Sequence, residues 1–123
     1  MTGTFTEALA EFASQTASPT ALAKSVVRLS ALDWLACGIA GASEPVSGIL
    51  HSMAVEESGA QQAFMFGGGA APARMVALVN GTTSPALAFD ATHAAHNAHH
   101  WVDVFSAQLS VVPQLGRTLS HVM

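Results

Sequence analysis

The sequence has few charged residues. Four Lys and Arg and eight Asp and Glu give a net charge of −4 and make up 10% of the 123 residues, against roughly a quarter in an average soluble domain. The four basic residues are dispersed along the chain, so there is no basic patch for a nucleic acid to bind. With so little charge to cover its surface, the domain is expected to complete its core by pairing with another copy of itself.

Cysteine and long uninterrupted apolar runs are also scarce. Cys37 is the only cysteine, so no intrachain disulfide can form and a cytoplasmic location is expected. The most apolar stretch of helix length, residues 26–42, contains Arg28 and Asp33, which argues against a membrane span. The acidic N-terminal segment, with Glu7 and Glu11, does not have the basic start of a secretory signal.

Small apolar residues dominate what is there. Half of the residues are apolar, 24 are alanine, and eight are aromatic, six Phe and two Trp. Such a composition favours closely packed helices over sheets, and the length fits one core. We therefore predict an all-α fold of about five helices, with a single helical domain over residues 1–116 and a loose C-terminal tail over residues 117–123.

Caps and apolar spacing predict where the helices lie. Thr4 and Glu7 have capping-box spacing before a first helix that ends near Gln15, and Ser18-Pro19 is a suitable start for a long second helix. Later helices are predicted from Pro45 to near Gly59, from Pro72 onwards, and from about Trp101 to Val112. The second helix has an apolar stripe at three- to four-residue spacing, formed by Leu22, Val26, Leu29, Leu32, Ala36 and Ile39.

Glycine and proline predict the interruptions. Gly38 and Gly41 either admit a neighbouring backbone or cap the second helix, and Gly81 or Pro85 should disturb the fourth helix. Residues 62–66 are predicted to be extended and to end in a turn at Gly67-Gly68-Gly69, with no Lys-Ser/Thr that would make a phosphate loop. Met53, Met65 and Met75 are interpreted as core residues, Cys37 as a buried inert thiol, and Asp33 as a cap or a pairing partner within the bundle.

Two motifs carry a resemblance to a known family. Residues 32–41 read Leu-Asp-Trp-Leu-Ala-Cys-Gly-Ile-Ala-Gly, and residues 77–84 read Ala-Leu-Val-Asn-Gly-Thr-Thr-Ser. Phe66-Gly67 precedes the second motif, and Asp90 to His93 follow it as Asp-x-Thr-His. Over residues 5–116 the chain resembles the N-terminal part of the MmgE/PrpD family, which includes 2-methylcitrate dehydratase, cis-aconitate decarboxylase and iminodisuccinate epimerase.

The resemblance implies a helical domain that acts on small di- and tricarboxylates without a metal or organic cofactor. Asp90, Thr92 and His99 match the family signature and are the implied catalytic residues. The chain departs from that signature at Pro85, Ala88 and Ala91, where the family has histidine, aspartate and aspartate, and at His100-Trp101, where it has Pro-Ser. Because alanine cannot transfer a proton, we expect a truncated or engineered relative with weak or no family activity.

Four histidines lie close together at positions 93, 96, 99 and 100. If their segment were helical, His93, His96 and His100 would share one face and could hold a metal, with Asp90 extending that face. We prefer the interpretation that they are loop histidines inherited from the family, so no metal site, cofactor or substrate-binding residue is predicted.

Two functions therefore remain open. The first is a residual lyase or epimerase for a small carboxylate. The alternative is a non-catalytic self-associating helical scaffold, with the histidine cluster as a metal site. In both, the expected macromolecular partner is a second copy, and neither a nucleic acid nor a membrane is expected.

Overall fold

The computed structural model describes residues 4–15, 19–91 and 99–116. Over these residues the protein is mostly helical, as predicted. Five α-helices follow one another, with a two-stranded antiparallel hairpin between the third and the fourth: α1 (Phe5–Ser14), α2 (Ala21–Gly41), α3 (Pro45–Glu57), β1 (Ala63–Phe64), β2 (Ala70–Ala71), α4 (Ala73–Thr83) and α5 (His100–Val111), and a 3₁₀ turn over Val112–Leu115 closes the described part. The predicted tail, residues 117–123, lies outside the described residues.

The first helix begins with the predicted capping box. The Glu7 carboxylate accepts from the Thr4 backbone N–H at 2.6 Å, and the Thr4 hydroxyl accepts from the Glu7 N–H at 3.3 Å. None of the residues of α1 is buried, and Phe5 and Phe12 are 79% and 75% exposed. Capping therefore defines where α1 begins, whereas its apolar face packs against no core within the described chain.

The second helix starts two residues later than the predicted Ser18 cap. Thr20 is the N-cap, and its hydroxyl accepts from the Ala23 N–H at 3.2 Å. Pro19 lies before the helix and not in its first turn. The Thr20 hydroxyl accepts from a backbone N–H that would otherwise have no partner at the start of the helix. This cap, and not Pro19, therefore determines where α2 begins.

The inner face of α2 is built from small residues and one tryptophan, and the apolar stripe faces outward. A Cβ atom added at Gly41 would lie 2.1 Å from the Thr83 carbonyl oxygen, and one at Gly38 would lie 2.2 Å from the Phe66 ring. The expected approach of a neighbouring backbone is therefore confirmed at Gly41, whereas at Gly38 the close neighbour is the Phe66 side chain. The buried residues of the helix are Ser30, Ala31, Trp34, Cys37, Gly38 and Gly41.

Two apolar clusters form the core. One joins α3, the hairpin and α4, and it consists of Leu50, Ala54, Ala63, Met65, Ala71, Met75, Val76 and Val79. The other joins α2 to α5 through Ala31, Trp34 and Phe105. Met65 and Met75 are buried as predicted, but Met53 is 45% exposed, so its assignment to the core was wrong.

The hairpin confirms the predicted extended segment and glycine turn. Ala63 pairs with Ala71 and Phe64 with Ala70, and Gly67, Gly68 and Gly69 all have positive φ values, which favour glycine. The Asn80 amide donates to the Phe64 carbonyl at 3.1 Å, and its oxygen accepts from the Phe66 N–H at 2.8 Å. One side chain of α4 thus holds the hairpin against the helices.

The fourth helix continues through Gly81 and ends at Thr83, so of the two residues expected to disturb it, Gly81 does not. A Cβ at Gly81 would meet the Ser106 side chain at 3.6 Å, which shows how closely α5 packs there. Pro85 follows just beyond the end of α4, as a helix-breaking residue should. Within the described ranges no single helix could cross a membrane, although α2 and α3, bent by 88°, have the length and composition of a broken span when taken together.

Candidate active site at Asp90 and His99

Two of the residues implied as catalytic meet at the end of the bundle. Asp90 lies in the segment after α4, and His99 directly precedes α5. The His99 Nδ1 and Asp90 Oδ2 atoms are 2.6 Å apart, with the histidine side chain 46% exposed and the aspartate side chain 3% exposed. A buried carboxylate thus orients a histidine ring that remains open to solvent.

This contact determines what the ring can do. The Nδ1–H donates to the carboxylate, which leaves the lone pair of a neutral ring on Nε2. The other oxygen of Asp90, Oδ1, is buried and has no hydrogen-bond partner in the described part of the chain. A carboxylate in this position fixes the orientation of the ring, which is what a positioned acid–base group needs.

Asp33 holds the Asp90 segment against α2. Its Oδ2 accepts from the Ala91 backbone N–H at 2.9 Å, across 58 residues of sequence. Asp33 therefore pairs within the bundle, as the sequence suggested, but the sequence did not show that its partner lies next to the candidate site. Residues so far apart in the sequence cannot be related by helix or strand spacing. The only sequence signal for this contact was that each residue lies in a segment that resembles the family.

Cys37 lies near both acids and is buried, as predicted. Burial raises the pKa of its thiol, and the negative charges of Asp33 and Asp90 raise it further. The thiol is therefore protonated at neutral pH. Such a group is neither a nucleophile nor a metal ligand.

The loop before Asp90 contains a residue with strained backbone. Ala88 has a φ of +54°, and its N–H donates to the Pro85 carbonyl at 2.9 Å. This region of backbone space is uncommon for alanine, whereas Asp and Asn occupy it more readily. The sequence had singled out Ala88 for its missing carboxylate, but it did not predict the backbone conformation.

The structure gives less information about the other candidate catalytic and metal-binding residues. Thr92, His93 and His96 lie outside the described residues, and His100 is the exposed first residue of α5. Asp90 lies outside any described helix and does not extend a helical histidine face. Across residues 4–15, 19–91 and 99–116, no group of three or more His, Cys, Asp or Glu could hold a metal ion.

A second candidate region is a cavity away from this pair. It is an open cleft of about 390 Å³ between α2, the hairpin and the C-terminal turn, lined by Trp34, Leu35, Phe64, Met65, Phe66, Asn80, Leu109, Val112 and Pro113. Its lining contains no charged residue, and the Asn80 amide is already bonded to the hairpin. An apolar cleft of this kind cannot hold a di- or tricarboxylate. The Asp90–His99 pair, and not the cleft, is therefore the candidate site.

Comparison with models of known protein families identifies the family of this chain. The model of the MmgE/PrpD N-terminal domain matches residues 7–123. The chain belongs to the MmgE/PrpD family. No curated protein and no solved structure matches it.

The positions at which this member of the MmgE/PrpD family is expected to depart from the signature lie close to Asp90 in the sequence. Pro85 and Ala88, where departures from the signature are expected, lie in the loop between α4 and Asp90, and Ala91 directly follows Asp90. Of the three residues expected to match the signature, Asp90 and His99 are described, and they are in contact.

Proposed function

We propose that the protein is a relative of the MmgE/PrpD lyases and epimerases that recognises a small di- or tricarboxylate and has weak or no turnover. The observation that supports this is the Asp90–His99 hydrogen bond at 2.6 Å. In the proposed reaction, Nε2 of His99 removes a proton from the carbon next to a substrate carboxylate. The imidazolium that forms is stabilised by Asp90.

The low rate follows from what surrounds this pair. Ala88 supplies no carboxylate where the family signature has one, and a lost general acid or base typically costs 10²–10⁴-fold in rate. Arg74 forms an ion pair with Glu57, so a substrate carboxylate would have to compete with Glu57 for it. Arg28 extends from α2, exposed. Few cations remain to position an anionic substrate.

Turnover of 2-methylcitrate and cis-aconitate tests this proposal. We expect rates at or near background. Where a residual rate is measurable, His99→Ala should abolish it, Asp90→Asn should lower it, and His93→Ala should only weaken it. Conversion at ordinary enzyme rates would contradict the proposal, because a site with one carboxylate and few cations could not produce it.

A second candidate function rests on a different observation, the amount of exposed apolar surface. The alternative is a non-catalytic helical scaffold that self-associates, with His93, His96 and His100 as its metal site. Supporting observations are α1, which buries no residue, and Leu22 and Ile39 of α2, which are 75% and 70% exposed. Light scattering at tens of micromolar distinguishes the two states, and a monodisperse monomer that unfolds cooperatively would contradict self-association.

The proposed partners are a second copy of the chain and a small carboxylate. Nucleic acid is not proposed, because four dispersed basic residues in 123 provide no binding surface. The proposed location is the cytoplasm, which the single buried cysteine favours.

A further inference from the structure

The segment that carries Asp90 is attached to α2 through the Asp33 side chain. Asp33 Oδ2 accepts from the Ala91 backbone N–H at 2.9 Å, although 58 residues of sequence separate the two. Earlier in the same loop, over residues 83–88, the backbone hydrogen bonds of the described chain are local and join residues three positions apart. The contact with Asp33 is therefore the one that fixes this part of the loop on a neighbouring helix.

This hydrogen bond acts on the backbone directly beside the Asp90 side chain. The Ala91 N–H belongs to the peptide unit that also contains the Cα and the carbonyl group of Asp90, and a peptide unit is planar. Fixing the direction of this N–H therefore also restrains the Asp90 Cα. The Asp90 carboxylate needs such support, because its Oδ1 has no hydrogen-bond partner in the described part of the chain and its Oδ2 contacts only the half-exposed ring of His99.

The helix that carries Asp33 is itself fixed relative to His99. Trp34, the next residue of α2, donates from Nε1–H to the Ser106 hydroxyl of α5 at 3.1 Å, and both of these residues are buried. His99 directly precedes α5. Adjacent residues of α2 thus hold the backbone at Asp90 and the helix that follows His99, so the two members of the pair share one support.

We propose that Asp33 is a positioning residue of the Asp90–His99 pair, and that it acts through its hydrogen bond to Ala91 and not through its charge. The proposal rests on the proposed function, in which the neutral His99 ring presents a lone pair on Nε2. By holding Asp90 where its carboxylate accepts from Nδ1–H, Asp33 selects the tautomer that has this lone pair. Because hydrogen bonds weaken steeply with distance and angle, a shift of Asp90 by about an ångström would remove the selection.

The charge of Asp33 has a separate effect, which can be measured at Cys37. This thiol lies one helical turn after Asp33; burial raises its pKa, and the charges of Asp33 and Asp90 raise it further. Asp33→Asn removes the charge but keeps an oxygen that can accept from the Ala91 N–H, whereas Asp33→Ala removes both. The pKa of Cys37 should therefore be lower in both variants, while the His99 tautomer should change only in Asp33→Ala.

NMR of the full chain labelled with ¹⁵N-histidine tests the proposal. Long-range ¹H–¹⁵N spectra distinguish the tautomers at pH 8.5, where a histidine ring is ordinarily neutral, and the His99 signals are those missing from His99→Ala. We expect the Nδ1–H form to predominate in the wild type and in Asp33→Asn. In Asp33→Ala, the ratio of the Nδ1–H form to the Nε2–H form should fall about tenfold or more.

Glu56→Ala is the matched control, because it removes an exposed acidic side chain from α3. It should change neither the His99 tautomer nor the pKa of Cys37, which the pH dependence of the reaction with a disulfide reagent measures. Urea unfolding checks that each variant folds. If Asp33→Ala does not fold, Asp33→Leu replaces it, because leucine has a branched shape similar to that of aspartate, no acceptor and a high helix propensity.

The outcomes separate this proposal from the proposed function. A folded Asp33→Ala protein that keeps the wild-type tautomer would overturn the positioning role and leave the proposed acid–base pair intact. Equal loss of the Nδ1–H form in Asp33→Asn and Asp33→Ala would show an effect of charge, and it would also overturn the positioning role. A wild-type His99 ring that is mainly in the Nε2–H form would contradict the geometry of the pair and overturn both proposals.

Discussion

Ala88 has no carboxylate where the family resemblance implies an aspartate, but its backbone conformation would suit an aspartate. Its φ of +54° is accessible to Asp and Asn, so the loop conformation would accept the aspartate that the family resemblance implies at this position. Loop conformation and catalytic chemistry can therefore be tested separately at this one residue.

We expect Ala88→Asp to fold normally and to remain inactive. Its free energy of unfolding should stay within about 0.5 kcal/mol of wild type, and turnover should stay near background because Arg74 is still bound to Glu57. Ala88→Val is the control, since a β-branched residue at positive φ should cost about 1–2 kcal/mol. Urea unfolding and a turnover assay measure both effects. Family-level activity in Ala88→Asp would show that the missing carboxylate alone limits the rate.

Cys37 makes a second residue-scale prediction, which concerns pH. Its thiol is buried and has a raised pKa, so it should react with a disulfide reagent at pH 8 about a hundredfold more slowly than an exposed thiol. Ser52→Cys in a Cys37→Ala background supplies that exposed thiol. Equal rates in the two folded proteins would contradict the burial.

The raised pKa of Cys37 also makes the free energy of unfolding depend on pH. Because the thiol ionises at lower pH in the unfolded chain than in the folded one, the unfolded state releases its proton first. The free energy of unfolding should therefore fall as pH rises past the usual cysteine value of about 8.5. Cys37→Ala should remove this contribution, which denaturant titrations at pH 7 and pH 9.5 would detect.

Among the elements, α2 shows most clearly what apolar periodicity can and cannot predict. Its spacing correctly predicted a long helix, and Gly41 correctly predicted the approach of a neighbouring backbone, whereas Gly38 makes room for a side chain. Which face is buried could not be predicted from hydrophobicity, because the large residues lie on the exposed face. The buried face is instead made of residues small enough to admit the Phe66 ring and the end of α4.

Glycine substitutions in two helices test this close packing. Gly41→Ala should destabilise the protein by about 2–4 kcal/mol, because its Cβ would lie 2.1 Å from the Thr83 carbonyl oxygen. Gly48→Ala in α3 is the matched control, since no atom lies within 4 Å of its added Cβ. That control should stabilise the protein by roughly 0.5–1 kcal/mol. Denaturant unfolding measures both, and similar effects of the two substitutions would contradict the packing of α2 on α4.

Two helix starts were predictable from a local side chain or proline, whereas the Thr20 cap of α2 was missed. The Thr4–Glu7 box and the start of α3 at Pro45 followed from local sequence. The candidate site was only partly predictable. Asp90 and His99 were named from their motif, but their hydrogen bond and the Asp33–Ala91 contact depend on how α2, α4 and α5 pack together.

At the scale of the whole molecule, stability should depend on packing and not on a metal. Neither apolar cluster contains a His, Cys, Asp or Glu residue, and the described residues form no group of three or more of these that could hold a metal ion. EDTA should therefore leave the midpoint of thermal unfolding unchanged. A drop of about ten degrees would show a structural metal, because metal binding adds to the free energy of folding, and would favour the histidine cluster as its site.

Trp34 lies between the hairpin and α5 and gives the protein an internal optical probe. Its ring centroid lies 4.7 Å from that of Phe66 and 6.0 Å from that of Phe105. Its Nε1–H donates to the Ser106 hydroxyl at 3.1 Å, while the residue is only 3% exposed. Loosening either the hairpin side or the α5 side would bring water to the same indole. In a Trp101→Phe background, a red shift of the Trp34 emission would therefore report whichever of these two sides opens first, without any added label.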